Sequence, residues 1–308
     1  MISMYKDIIQ IEEQDIREMS IEPKEYYEMA DFVIKNPQDF ILPTKTRIPL
    51  DGTDYFNVMP CIVPSCQLGG VKIVTRSEER RRLQQSNIDS DIFLYDLKTL
   101  SMKAIVDGSY ITTIRTAAVA VHSILNFAHY KDTIAMVGLG KIGTAIGEIL
   151  FDVAKNQPFT VKLYKYKDQA EKFIRRFEHY KNITFKLCET YEELMKDSDV
   201  VVSSVTYISG DFCPASFYKP GCTVIPVHLR GFMECDRTFD HIITSDLESI
   251  KKFGYYNEFK KLTLVNDIVA HRQIVRSNPD ERVLVYNLGL ASFDIYYAAK
   301  IYNVLLNK

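Results

Sequence analysis

A chain of 308 residues is about twice the usual domain length, so two domains or one large one is the first expectation. Its 46% hydrophobic and 25% charged residues match a globular protein and exclude a disordered or fibrous one. Lysine plus arginine (38) against aspartate plus glutamate (40) leaves a formal charge of −2, which offers no global attraction to nucleic acid or to an anionic membrane. Apolar runs such as Ala117–Val121 and Val200–Val202 fall far short of the ~18 residues that span a bilayer. The opening MISMYKDIIQIEEQD lacks the apolar core of a signal peptide. The cysteines (Cys61, Cys66, Cys188, Cys213, Cys222, Cys235) are scattered, with no zinc-type spacing. A metal-free cytoplasmic protein with reduced thiols is expected.

In chain order, the first third mixes strands with helices. Asp7–Ile11, Tyr55–Val58 and Gly70–Thr75 have strand character, and Glu22–Asn36 has the spacing of an amphipathic helix opening at Pro23. Ile92–Asp96 and Met102–Asp107 read as a hairpin around Leu97–Ser101. The charge run Glu78–Arg82 reads as a solvated helix face. Thr112–Ala128 is a long helix rich in small residues, and strict alternation follows it. Strands are predicted over Thr133–Val137, Thr160–Tyr164, Asn182–Leu187 and Asp199–Val205. Helices are predicted over Gly140–Ala154, Gln169–His179 and Tyr191–Lys196. Thr223–Pro226, His241–Thr244 and Arg282–Tyr286 are further strands, and Leu288–Leu306 is a closing helix. The fold class is therefore α/β: a doubly wound parallel sheet of the Rossmann type inserted in a discontinuous α+β domain. The boundaries expected are 1–115 plus 289–308 for the outer domain and 116–288 for the insert.

Asp132–Gly143, DTIAMVGLGKIG, joins a predicted strand to a predicted helix through Gly138-x-Gly140-x-x-Gly143. Such glycines give a tight turn, room for a pyrophosphate at the backbone amides, and close packing of helix on strand. This predicts dinucleotide binding. An acidic residue closing the second strand would hold a ribose 2′-hydroxyl, but Lys165 stands there with Lys167 close behind. These cations suit a 2′-phosphate, so NADP is favoured over NAD. The cofactor set expected is Thr116, Gly138, Leu139, Gly140, Lys141, Ile142, Gly143, Lys165, Lys167, Ser203, Ser204 and Val205. The last three lie at the end of the fourth strand, where open sheets bind ligands.

Three cations stand out in the first third: Arg47, Lys72 within an apolar strand, and Arg115 one turn into the long helix. Converging, they would bind a carboxylate. Spacing alone leaves open whether they converge or are separate surface residues.

Asn57-Val58-Met59-Pro60, Gly70-Val71-Lys72, Asp107-Gly108 with Ile111–Ala118, Gly138–Gly143 and Gly289–Asp294 occur in this order. Together they resemble the ornithine cyclodeaminase/μ-crystallin family over essentially the whole chain. The resemblance implies a Rossmann domain, a substrate domain built from both chain ends, and a homodimer formed through the latter. It assigns Arg47, Lys72 and Arg115 to a substrate carboxylate, Lys72 also to proton donation, and Met59 and Thr112 to the pocket wall. Cyclodeaminases carry an aspartate where this chain has His228, with Arg230 two residues on. That departure places the chain nearer the siderophore-pathway N-(2-amino-2-carboxyethyl)-glutamate dehydrogenase members.

The expected function is an NAD(P)-dependent oxidoreductase interconverting an amino acid, or an N-substituted amino acid, and its imine. Lys72 and His228 are its proton-transfer residues, and Arg47, Met59, Lys72, Thr112, Arg115 and Arg230 contact the substrate. The alternatives are ornithine cyclodeaminase and a non-catalytic NADPH-dependent binder of μ-crystallin type.

Overall fold

The computed structural model describes residues 8–306. In chain order the elements are β1 (Ile9–Ile11), α1 (Glu13–Glu18), α2 (Pro23–Lys35), β2 (Thr46–Pro49), β3 (Tyr55–Val63), β4 (Leu68–Arg76), α3 (Glu78–Arg82), β5 (Ile88–Asp96), β6 (Met102–Asp107) and α4 (Gly108–Phe127). There follow β7 (Thr133–Val137), α5 (Lys141–Val153), β8 (Phe159–Tyr164), α6 (Gln169–Phe177), β9 (Ile183–Cys188), α7 (Tyr191–Met195), β10 (Val200–Ser203) and β11 (Thr223–Pro226). The chain closes with α8 (Met233–Thr238), β12 (His241–Thr244), α9 (Leu247–Ile250), β13 (Leu262–Leu264), α10 (Val265–Val269), β14 (Val283–Tyr286) and α11 (Ala291–Leu306). Two compact units result. One holds the described residues up to Arg115 and from Gly289 on, and the other is Thr116–Leu288.

The first unit is built on a six-stranded sheet of order β1-β6-β5-β4-β3-β2. Strands β2 to β6 form an antiparallel meander, and β1 adds in parallel to β6. The two-residue period of each strand buries Met59, Cys61 and Val63 of β3, Lys72 of β4, Ile92 and Leu94 of β5, and Ala104 and Val106 of β6 on one face. Helix α11 packs on that face, its Ile295 methyl lying 3.2 Å from where a Cβ on Gly70 would stand. Helix α2 packs on α11 through the stacked rings Tyr26–Tyr297 and Phe32–Tyr296, with centroids 6.2 and 5.0 Å apart. Pro23 and a Glu22/Glu25 capping box open α2 where the sequence predicts. The opposite face of the sheet carries Phe56, Val58, Ile62, Val71, Ile73 and Phe93, which stay half-buried or exposed.

The second unit is an eight-stranded, wholly parallel sheet of order β13-β12-β14-β11-β10-β7-β8-β9. Its central strands are buried throughout, as strands covered on both faces must be. From β7 the chain winds outward to β9, then returns to place β10 on the other side of β7. That reversal is the switch point at which doubly wound sheets bind ligands. The predicted fold class is thus the observed one.

Boundaries moved for local reasons. The fourth strand ends at Ser203 rather than Val205, because Ser204 and Val205 leave the sheet to pack on Gly138. Strands β3 and β4 run through their whole mutual register, Tyr55↔Arg76 to Val63↔Leu68, and Gln67 closes the turn between them at φ 53°. Asp7, the first residue of the first predicted strand, lies outside the described residues. Among the described residues, no helix is long and apolar enough to cross a membrane. Nor do any three or more His, Cys, Asp or Glu among them form a group suited to a metal ion.

Candidate active site

In the second unit, the glycine turn joins β7 to α5. Gly138 sits at φ 85°, and a Cβ there would lie 2.6 Å from the Ser204 carbonyl carbon and the Val205 nitrogen. Only glycine fits. Gly143 packs equally close to the Gly138 carbonyl, which also accepts a hydrogen bond from the Ser204 hydroxyl. Gly140 differs. It is exposed, it is the N-cap of α5, and nothing lies within 4 Å of where its Cβ would be. The open space adjoins the first-turn amides of Lys141, Ile142 and Gly143, whose N–H groups have no partner within the helix. This backbone cradle fits a pyrophosphate at the positive end of a thirteen-residue helix. Leu139 is buried beneath the turn, Lys141 is exposed, and Ile142 and Thr116 are half-buried.

The carboxyl ends of β7, β10 and β11 are laced together. The Ser204 amide donates to the Val137 carbonyl at 2.9 Å, and the Val227 amide donates to the Ser203 carbonyl at 2.8 Å. The Ser203 side chain is buried, so among the three predicted strand-end residues only Ser204 and Val205 offer partly exposed groups.

At the end of β8, Lys165 donates from Nζ to Glu189 Oε1 at 2.8 Å, an exposed ion pair. Glu189 directly follows β9, which adjoins β8, so this acid could not be read from the glycine spacing. Lys167 turns back at φ 53° and holds its ammonium 5.3 Å from the Tyr166 ring centroid. Neither lysine stands as the isolated phosphate receptor that the sequence suggests.

His228 lies half-buried in the turn after β11, and Arg230 is exposed two residues on. Burial, with no charge beside it, pushes the imidazole below its ordinary value, so His228 is neutral at pH 7.

In the first unit, two of the three predicted cations meet. Lys72 faces α11 and α4 from the centre of β4, only 1% exposed. Its Nζ donates to Asp294 Oδ1 at 2.8 Å and to the Thr112 hydroxyl. Thr112 in turn donates to the Gly108 carbonyl, leaving a lone pair for the lysine. Those contacts use two of the three N–H groups on Lys72. Burial lowers its pKa to about 8; Arg115 adds to the shift and Asp294 opposes it. Arg115 donates from Nε to the same Asp294 oxygen at 3.1 Å. Its two Nη atoms have no hydrogen-bond partner among the described residues. They lie 3.2 and 3.3 Å from where a Cβ on Gly289 would stand.

Met59 is buried opposite Lys72 in the β3–β4 register. Arg47 pairs with Asn57 and so shares the sheet face of Met59 and Lys72, but its guanidinium rests on the Tyr55 ring, 3.9 Å from the centroid. The residue that sequence reasoning missed is Asp294, which is 0% exposed and bonded to both Lys72 and Arg115. A lone acid in the apolar run Phe293-Asp294-Ile295 was the available signal.

The profile of the ornithine cyclodeaminase/mu-crystallin family matches residues 6–308. An N-((2S)-2-amino-2-carboxyethyl)-L-glutamate dehydrogenase of Staphylococcus aureus is 23% identical over 288 residues, 86% of this chain and 84% of that protein. Among solved structures, the Δ1-pyrroline-2-carboxylate reductase of Thermococcus litoralis, in complex with NADH and L-proline, superposes with a TM-score of 0.81. That match is at 20% identity and covers 97% of this chain and 98% of the other. An archaeal alanine dehydrogenase dimer with bound NAD gives a TM-score of 0.82 at 18% identity, covering 97% and 96% of the two chains. The chain belongs to the ornithine cyclodeaminase/mu-crystallin family.

Proposed function

We propose that the protein is an NAD(P)-dependent oxidoreductase interconverting an amino acid, or an N-substituted amino acid, and its imine. The observation that carries this reading is the buried cluster of Lys72, Asp294 and Arg115. It presents a charged lysine that can release a proton near neutral pH, beside an arginine whose Nη edge is open to a carboxylate. Arg115 and Arg47 orient the substrate carboxylate, and Met59 and Thr112 wall the pocket. When bound, a dihydronicotinamide supplies the hydride that the imine carbon accepts. Lys72 gives a proton to the nitrogen as the C=N bond becomes a C–N single bond, and regains one from solvent. The cradle at Gly138, Gly140 and Gly143 holds the pyrophosphate. His228, neutral at pH 7, exchanges protons but holds no ammonium group by charge, which favours a reductase over a cyclodeaminase. Arg230 serves as a further substrate cation.

Lys165 and Lys167 favour NADP, with Glu189 working against a 2′-phosphate. A homodimer forms through the sheet face of Phe56, Val58 and Ile73, whose apolar side chains are half-buried or exposed. A cytoplasmic location belongs to the same reading and is supported by the free thiols.

The test is turnover of Δ1-pyrroline-2-carboxylate with NADH or NADPH, followed by nicotinamide absorbance. Loss of absorbance in proportion to product supports the proposal. Proline and ammonia formed from ornithine with no net change would mark a cyclodeaminase. Cofactor binding without turnover on any imino acid would mark a binder.

A further inference from the structure

Two cations meant for a ligand carboxylate are already held by a carboxylate of the protein. We propose that Asp294 is a positioning residue. It clamps Arg115 by Nε so that the Nη edge faces the substrate carboxylate, and it keeps the buried Lys72 ammonium charged until the proton is needed. The proposal rests on the activity inferred above and adds a residue to its machinery.

The geometry separates the two tasks. A guanidinium can grip a carboxylate side-on, through Nε and one Nη, or end-on, through both Nη atoms. Asp294 Oδ1 occupies Nε at 3.1 Å, so only the end-on edge remains. That edge lies against Gly289, whose missing side chain leaves it clear; a Cβ there would press on both Nη atoms. Asp294 thus selects the approach and Gly289 keeps it open.

The lysine half follows from charge. The groups facing Lys72 are Asp294 of α11, Arg115 and the Thr112 hydroxyl of α4, and, on β3, the Met59 side chain. The Cys61 thiol near Asp294 is neutral, its pKa pushed up to about 12 by burial. Asp294 therefore supplies the negative charge against burial and Arg115, both of which favour a neutral amine. Removing it would leave a deprotonated lysine with nothing to give. Asp294 Oδ2 has no partner and is fully buried, so the carboxylate keeps acceptor capacity that neither cation uses.

The experiment compares the full-length wild type with D294N and D294E. Lys72 is titrated by NMR on lysine-labelled, substrate-free protein, with K72R assigning the signal. Reduction of Δ1-pyrroline-2-carboxylate is followed against pH. In D294N the lysine should titrate at least about one pH unit lower, and the alkaline limb of kcat should move down with it. KM for the imino acid should rise about tenfold or more. D294E, which keeps the charge but shifts the oxygen, should restore the titration and not the KM. An unmoved Lys72 titration in D294N, or a lower rate with an unmoved limb, overturns the proposal. If D294N does not fold, D294E decides: a raised KM with an unshifted lysine supports the role, and a wild-type KM refutes it. Because the titration needs no substrate, inertness toward imino acids would sink the proposed activity and still leave the bond between Asp294 and Lys72 measured by itself.

Discussion

Gly138 and Gly140 are two residues apart in one turn, and the structure predicts opposite outcomes when each becomes alanine. At Gly138 the backbone is at φ 85°, where an alanine costs roughly 1–2 kcal/mol. Its Cβ would also stand 2.6 Å from two backbone atoms of the Ser204–Val205 link, so that link must move. Together these place Gly138→Ala at about 2–4 kcal/mol of lost stability. At Gly140, φ −78° and ψ −158° suit any residue, and the new methyl meets nothing within 4 Å. The loss of a glycine at the N-cap and the lower entropy of the unfolded chain roughly cancel, for a net change within about 0.5 kcal/mol. The methyl does enter the space through which a pyrophosphate reaches the α5 amides. Losing one charge-assisted hydrogen bond, worth about 1.5–3 kcal/mol, weakens the dinucleotide about 10- to 100-fold. Urea unfolding measures the first quantity and calorimetric titration with NADH and NADPH the second; the chain has no tryptophan, so calorimetry suits it better than protein fluorescence. Wild-type dinucleotide affinity in Gly140→Ala would refute the cradle. Wild-type stability in Gly138→Ala would refute the packing described here.

Arg115→Lys keeps the charge and loses the two-pronged edge, so KM for an imino acid should rise about 10- to 100-fold in steady-state assays; an unchanged KM removes Arg115 from the substrate. Glu189→Gln should tighten NADPH several-fold and leave NADH within about twofold, read by the same calorimetry; equal changes for both would show that Glu189 has no part in the choice. Ile73→Asp on the half-buried sheet face should convert a dimer to monomers in sedimentation, and an intact dimer would point to another surface. Asp236 is buried against the Tyr286 hydroxyl, which donates to it at 2.7 Å, and burial raises its pKa from 3.8 to about 6. The folded state therefore gains relative stability below pH 4 and loses it as pH rises toward 6, by about 3 kcal/mol in all. Asp236→Asn should flatten that slope in unfolding midpoints taken between pH 4 and 7, and an unaltered slope would contradict the assignment.

Legibility in the sequence followed the range of the interactions. Thr133–Val137, Thr223–Pro226 and His241–Thr244 were predicted to the residue, because strands buried on both faces are continuous apolar runs bounded by turn residues. Strand β2 escaped notice, since an exposed strand has no alternation to see. In the site, the glycine turn was readable because its strand, bend and helix are neighbours in sequence. Glu189 beside Lys165 was not, being 24 positions away just past the next strand. Asp294 lies 222 positions from Lys72 and 179 from Arg115, and nothing local marks a buried acid as the shared partner of two distant cations. The expected convergence of Arg47 with those two is only partly met: it shares their sheet face, but its guanidinium lies on Tyr55.

The hydroxyl of Ser204 donates to the Gly138 carbonyl, and the backbone at Ser204–Val205 leaves no room for a Cβ on that glycine. A bend braced in this way has little freedom left to surrender when a nucleotide arrives, so occupancy need not be preceded by loop ordering. The Ser204 amide, held on the Val137 carbonyl, should therefore exchange slowly before nucleotide is added, whereas the partnerless first-turn amides of α5 should slow when it binds.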